Sequence, residues 1–87
     1  MEIAILCKQI VQLCHISGEL QWEELFKYFV TRIEEGHIEA TVREIEYIYG
    51  GMGSFNDLIL QKNGKMLDTN TELYTLRKAL FEVVFQG

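Results

Sequence analysis

Cys7, Cys14, His15, His37 and Ser54 are the side chains with which this 87-residue chain would carry nucleophilic, acid–base or metal chemistry. An activated nucleophile needs a base within hydrogen-bond reach and a third group that orients the base. The spacing supplies no such set. Cys14 and His15 are neighbours, and adjacent residues on a helix do not face each other. A metal centre needs three or four converging ligands at recognisable intervals. The two histidines lie in different segments, each at a predicted helix end, where an imidazole is commonly solvated or meets the helix dipole. No catalytic residue, no metal and no cofactor are therefore expected.

The glycine stretch at residues 50–54 has two chemical readings. Gly51-Met52-Gly53-Ser54-Phe55 has a faint likeness to a nucleophile elbow, but that motif needs a strand–turn–helix in a much larger α/β sheet. A phosphate-binding loop needs a Lys-Ser/Thr ending after a strand. That ending is missing, and no lysine or arginine lies between Arg43 and Lys62.

The stretch is better read as structure. Three glycines fall within residues 50–53. Glycine reaches positive φ at little cost and lets another backbone approach closely. Ser54 offers a capping hydroxyl, with Asp57 three residues on. The expectation is a helix ending at Gly50 or Gly51, a sharp turn, and a new element from Ser54. Met52, Ser54, Asn56 and Asp57 are the groups this turn would present to a partner.

Thirteen acidic residues against eight basic ones leave a formal net charge of −5. Nucleic acid is not expected as a ligand, because it requires a concentrated cationic surface. A basic protein partner suits the charge, and so does plain solubility. Glu19, Glu23, Glu24, Glu34, Glu35, Glu39, Glu44 and Glu46 gather in the middle of the chain. Glu23, Glu24, Glu34 and Glu35 are the candidate partner-binding carboxylates.

The elements that would position these groups follow from apolar spacing. Ile3, Leu6, Cys7, Ile10, Leu13 and Cys14 form a helical stripe over residues 2–16, widened by Ile5, Val11 and Ile16. Trp22, Leu25, Phe26, Phe29 and Ile33 mark a second helix over 20–35, closed by Gly36. Ile38, Val42, Ile45 and Tyr49 mark a third over 38–49. Leu73, Leu76, Leu80 and Val83 mark a fourth over 70–85, with Thr69 and Glu72 as a capping box and Asn70 as an alternative cap. Asn63-Gly64 between two short apolar runs signals a hairpin over 58–67 that would pair Leu60 with Leu67. The competing reading is a short helix from Ser54 through Leu60 and then a loop. Residues 82–87 resemble a viral 3C-protease recognition sequence, and no function is placed on them.

The fold expected is mainly α: four helices around one core, with a small β-hairpin or irregular insert before the last. Residues 1–87 make one domain. Its predicted core is Leu6, Ile10, Leu13, Trp22, Leu25, Phe26, Phe29, Ile33, Val42, Ile45, Leu73, Leu76 and Leu80, with Trp22 the largest contributor. Cys7 and Cys14 share a helix about 10 Å apart in rise, too far for a disulfide. Reduced thiols, no signal peptide and no membrane-length apolar run lead to a cytoplasmic location as the expectation.

Tyr-Gly-Gly-Met-Gly-Ser-Phe-Asn-Asp-Leu, residues 49–58, followed by an apolar run and an amphipathic helix, resembles a family of small bacterial proteins of unknown function. The resemblance covers roughly residues 38–84 and implies no activity. By type rather than motif, the small size, the acidity and the lack of a catalytic set are similar to bacterial immunity proteins, which neutralise toxins. The function expected is non-catalytic protein binding, in its most concrete form an immunity protein on a basic toxin domain. The alternative is a small homo-oligomeric structural or regulatory protein.

Overall fold

A computed structural model, which describes residues 1–50 and 53–86, sorts the apolar stripes into α1 (Glu2–Ser17), α2 (Leu20–Glu34), α3 (Ile38–Ile48) and α4 (Asn70–Gln86). Between α3 and α4 lie a 3-10 turn (Phe55–Asp57) and a two-stranded antiparallel hairpin, β1 (Gln61–Lys62) and β2 (Lys65–Met66). The mainly α architecture and the small hairpin before the last helix are both present.

The stripe on α1 does what its period requires: Ile3, Leu6, Cys7, Ile10, Leu13 and Cys14 are all buried. Phe26, Phe29 and Ile33 answer from α2, Ile45 from α3, and Leu73, Leu80 and Val84 from α4. Burial pushes the Cys7 thiol up to about 12. The Cys14 thiol rises to about 11, through burial first and then the charges of Glu19 and Glu23. Neither thiol ionises near neutral pH, so both act as small apolar core residues.

Part of the predicted core lies elsewhere. Trp22, Leu25, Val42 and Leu76 are only partly buried and pack on the margin of the cluster. The aromatic hub is Phe55, fully buried within the glycine segment. Its ring lies 5.2 Å from Trp22, 5.0 Å from Phe26 and 5.6 Å from Tyr49. Trp22, in the first turn of α2, stays partly exposed, and a smaller ring on a loop takes the central place.

The hairpin turns where the sequence places it. Asn63 at φ 54° and Gly64 at φ 77° give the two positive torsions of a type I′ turn. Gln61 faces Met66 and Lys62 faces Lys65. The Leu67 amide donates to the Leu60 carbonyl at 3.0 Å, the pairing the apolar runs predicted. Of the competing helix from Ser54 through Leu60, only the single 3-10 turn exists.

Asn70 and Thr69 do more than begin α4. The Asn70 side chain accepts from the Leu60 N–H at 2.8 Å and donates to the Leu60 and Leu67 carbonyls at 2.9 and 2.8 Å. It closes the open end of the hairpin as a short strand would. The Thr69 hydroxyl, expected in a capping box, instead meets Ser17 Oγ at 3.1 Å. That bond ties the end of α1 to the start of α4, so the two packed helices run antiparallel.

The third helix stops at Ile48, with Tyr49 as its cap, before the glycines expected to end it. Gly51 and Met52 lie outside the described residues. Gly53 holds φ 76° with nothing within 4 Å of where a Cβ would stand. Gly53→Ala therefore meets backbone strain alone, and is expected to cost about 1 kcal/mol in a urea melt. A variant as stable as the parent would show that the turn does not need the left-handed torsion. Residues 82–86, which resemble a protease recognition sequence, form the end of α4, with Val84 buried.

Candidate functional site

The glycine segment is built as a clasp. The Tyr49 hydroxyl donates to the Arg77 carbonyl at 2.7 Å, and Arg77 Nη1 donates to the carbonyls of Phe55 and Leu58 at 2.9 and 3.0 Å. The Arg77 guanidinium stands 5.8 Å from the Phe55 ring centre, within cation–π range. Asn56 Nδ2 donates to the Tyr49 carbonyl at 2.9 Å. Asp57 Oδ2 accepts from the Gly53 N–H at 2.8 Å. Burial holds the Tyr49 hydroxyl well above its ordinary range, so it stays a neutral donor.

This geometry changes the reading of the loop residues. Asn56 and Asp57 are exposed, and one polar atom of each, Asn56 Nδ2 and Asp57 Oδ2, helps to fix the loop. Ser54 is half-buried and makes no side-chain cap, contrary to the capping expectation; Asp57 takes the backbone N–H of Gly53 instead. Met52, also expected at a contact, lies outside the described residues. Arg77 sits far along the chain on α4, and its spacing carried no sign of this role.

The glutamates divide as well. Glu24, Glu34 and Glu35 are exposed. Glu34 pairs with Lys8 of α1 at 3.3 Å. Glu23 is a correction: only 4% exposed, it is no part of a solvated acidic face. Its Oε2 accepts from Lys27 at 3.0 Å and lies 3.1 Å from His15 Nδ1. The hydrogen bond from Lys27 holds the Glu23 carboxyl below its ordinary value, against the desolvation that pushes it up. Oε1 is buried with no partner among the described residues. Position 23 faces the end of α1, and the short Gly18–Glu19 connection folds α2 back so that His15 covers it. No group of three or more His, Cys, Asp or Glu converges on a metal position among the described residues.

Among the exposed residues of α2 and its C-cap, Glu24, Tyr28, Thr31 and Glu35 form a line at helical spacing. Tyr28 is 44% exposed and yet held. Its hydroxyl donates to Glu44 Oε1 of α3 at 3.3 Å, and the Arg32 guanidinium lies 5.8 Å from its ring centre. Residues 19–46 carry eight glutamates against Lys27, Arg32 and Arg43, a balance of −5. The rest of the chain holds five acidic and five basic residues. The whole net charge thus resides on α2, α3 and their connections. Tyr28 escaped the sequence reading, although an aromatic residue on the polar face of an amphipathic helix is itself a signal. Phe55 packs on Trp22 and Phe26, on the inner face of α2, away from the Glu24–Glu35 line.

The domain of unknown function DUF6966 matches residues 15–68. The chain belongs to that family. The DUF6966 segment reaches back to His15, where the resemblance noted in the sequence began near residue 38, and it stops at Asp68, short of α4. It holds the buried Glu23 cluster, the Tyr28 line, the glycine loop and the hairpin, while most of α1 and all of α4 lie beyond it. No curated protein and no solved structure matches the chain. No described helix is long and apolar enough to cross a membrane.

Proposed function

We propose that this domain is a non-catalytic binding module that takes a cationic protein partner on the outer face of α2 and α3. In its most concrete form the partner is a basic bacterial toxin domain that the module holds inactive. The observation that carries the reading is Tyr28: an exposed ring fixed by Glu44 and Arg32 amid Glu24 and Glu35. A rigid aromatic residue within a charged rim is the pattern of an interface anchor, since little side-chain entropy is lost when it is covered. The carboxylates around it would raise the encounter rate with a basic surface, and screening by salt would lower it. The toxin form rests on small size, acidity and likeness of type.

The two kinds of residue separate in kinetics. With a partner captured from the source cells, replacing Glu24, Glu34 and Glu35 by glutamine is expected to slow association about tenfold and flatten its salt dependence. Tyr28→Ala is expected to act on dissociation, weakening binding by about 2 kcal/mol. The glutamine variant should melt within about 0.5 kcal/mol of the parent, because its three side chains are exposed; Tyr28→Ala, which loses a ring 44% exposed, should cost about 1 kcal/mol and stay folded. Glu23 stays in place, since it is buried. Capture that yields no basic protein overturns the binding reading. A basic partner whose expression harms cells equally with and without this domain overturns the toxin form.

A further inference from the structure

We infer that Tyr47 and Glu44, beside Tyr28, receive an arginine side chain of the cationic partner and take it in preference to lysine, an inference that rests on the α2–α3 contact reading above. Tyr47 is 86% exposed, more than any other large apolar or aromatic side chain among the described residues. It follows Glu44 by three residues on α3, so the two are neighbours on the helix surface. Glu44 Oε1 accepts from the Tyr28 hydroxyl at 3.3 Å, which links the pair to the exposed ring on α2. The second oxygen, Glu44 Oε2, has no hydrogen-bond partner among the described residues.

The fold uses this mode of contact within itself. The Arg77 guanidinium lies 5.8 Å from the Phe55 ring centre while its Nη1 donates to two carbonyls. The Arg32 guanidinium lies 5.8 Å from the Tyr28 ring centre. Tyr47 and Glu44 offer the same pair of features, a ring and an oxygen acceptor, side by side. No guanidinium of the chain lies over Tyr47 among the described residues. Arg43 is the one Lys or Arg of α3, set against Glu39, Glu44 and Glu46, so the surroundings stay negative.

Charge and shape select the occupant. A neutral partner covering this spot would strip water from the Glu44 carboxylate and return no counter-charge. An acidic partner is repelled, and so is a second copy meeting through the same face, which carries the net −5. Of the two cationic side chains, lysine ends in a compact and strongly hydrated point charge. Arginine ends in a flat, weakly hydrated guanidinium, which stacks on a phenol ring while its N–H groups reach a carboxylate beside the ring.

Titration of the whole chain with two short amidated peptides, one alternating glycine with arginine and the other glycine with lysine, reads the preference by nuclear magnetic resonance. The arginine peptide should bind with a Kd of about 1 mM, about fivefold tighter than the lysine peptide, and should move the Tyr47 ring resonances. Tyr47→Ala should weaken the arginine peptide about fivefold and leave the lysine peptide nearly unchanged. Tyr47→Phe should keep the preference, because the ring and not the hydroxyl is used. Both variants should melt like the parent, since the side chain is exposed. No binding, equal affinity for the two peptides, or a Tyr47→Ala variant that keeps the preference overturns the arginine site. A captured basic partner that depends on Glu24 and Glu35, while the peptides bind alike, leaves the contact face standing without that site. Selective arginine binding at Tyr47 with no basic protein captured supports the site and removes the partner reading.

Discussion

Phe55→Ala is expected to cost about 3–5 kcal/mol, the range for deleting a fully buried aromatic ring. Three rings and a guanidinium surround Phe55, and its own solvent exposure is nil. The cavity would open between α2 and the end of α3. It cannot collapse easily, because Arg77 and Asn56 pin the backbone on both sides of the residue. A domain of this length has a total stability of about 4–13 kcal/mol, so the variant would keep a small fraction of it. Phe81→Ala is the comparison. That ring is 39% exposed and touches Tyr49 and Phe85 at the surface, so its loss should cost about 1–2 kcal/mol. Urea melts of the two proteins decide the matter. Equal midpoints would mean that the glycine segment is draped on the core and does not form part of it.

Asn70→Asp carries a sign that separates two accounts of one residue. If Asn70 served only to begin α4, aspartate would be neutral or stabilising, because both residues cap helices and a negative charge suits the N-terminus. In the structure the Asn70 amide nitrogen donates to two carbonyls, Leu60 and Leu67. A carboxylate oxygen in its place faces both carbonyls without a proton. The expected result is a loss of about 2–3 kcal/mol, from two hydrogen bonds removed and two partly buried acceptors left facing a negative charge. Hydrogen exchange locates the damage: the Leu67 amide, bonded to Leu60, should lose protection while the α1 amides keep theirs. Unchanged or increased stability would return Asn70 to the role of a cap.

The two accounts of Asn70 show where reading the chain alone runs short. An asparagine just before an apolar-periodic segment is a start signal for a helix, and that much is local. Which orphan backbone groups lie within its reach depends on a hairpin ten residues earlier and on how α4 crosses it. Glu23 makes the same point with opposite sign. Its position in the first turn of an acidic helix reads as a solvated charge beside the helix dipole. The tight Gly18–Glu19 connection then folds α2 against α1 and brings His15 over it, so that one carboxylate leaves the acidic surface. Tyr28 moves the other way, from an unnoticed polar-face residue to the centre of the candidate interface.

The four helices, the hairpin turn at Asn63-Gly64, the buried stripe of α1 and the excess of negative charge in the middle of the chain were all legible in the order of residues. Those features rest on short-range physics: a period of 3.6 residues, the torsions that asparagine and glycine tolerate, and charge counts. Tertiary structure alone decided that Phe55 and not Trp22 is the aromatic hub, that Arg77 and Asn70 hold the loop and the hairpin, and that Glu23 is buried while Tyr28 is displayed. Each of these depends on a partner elsewhere in the chain, 22 residues away for Arg77 and Phe55 and 33 for Phe55 and Trp22. Whether a polar side chain faces water, a carbonyl or another charge is fixed only when packing brings distant backbone beside it, because a buried polar group must then take whatever partner is within reach.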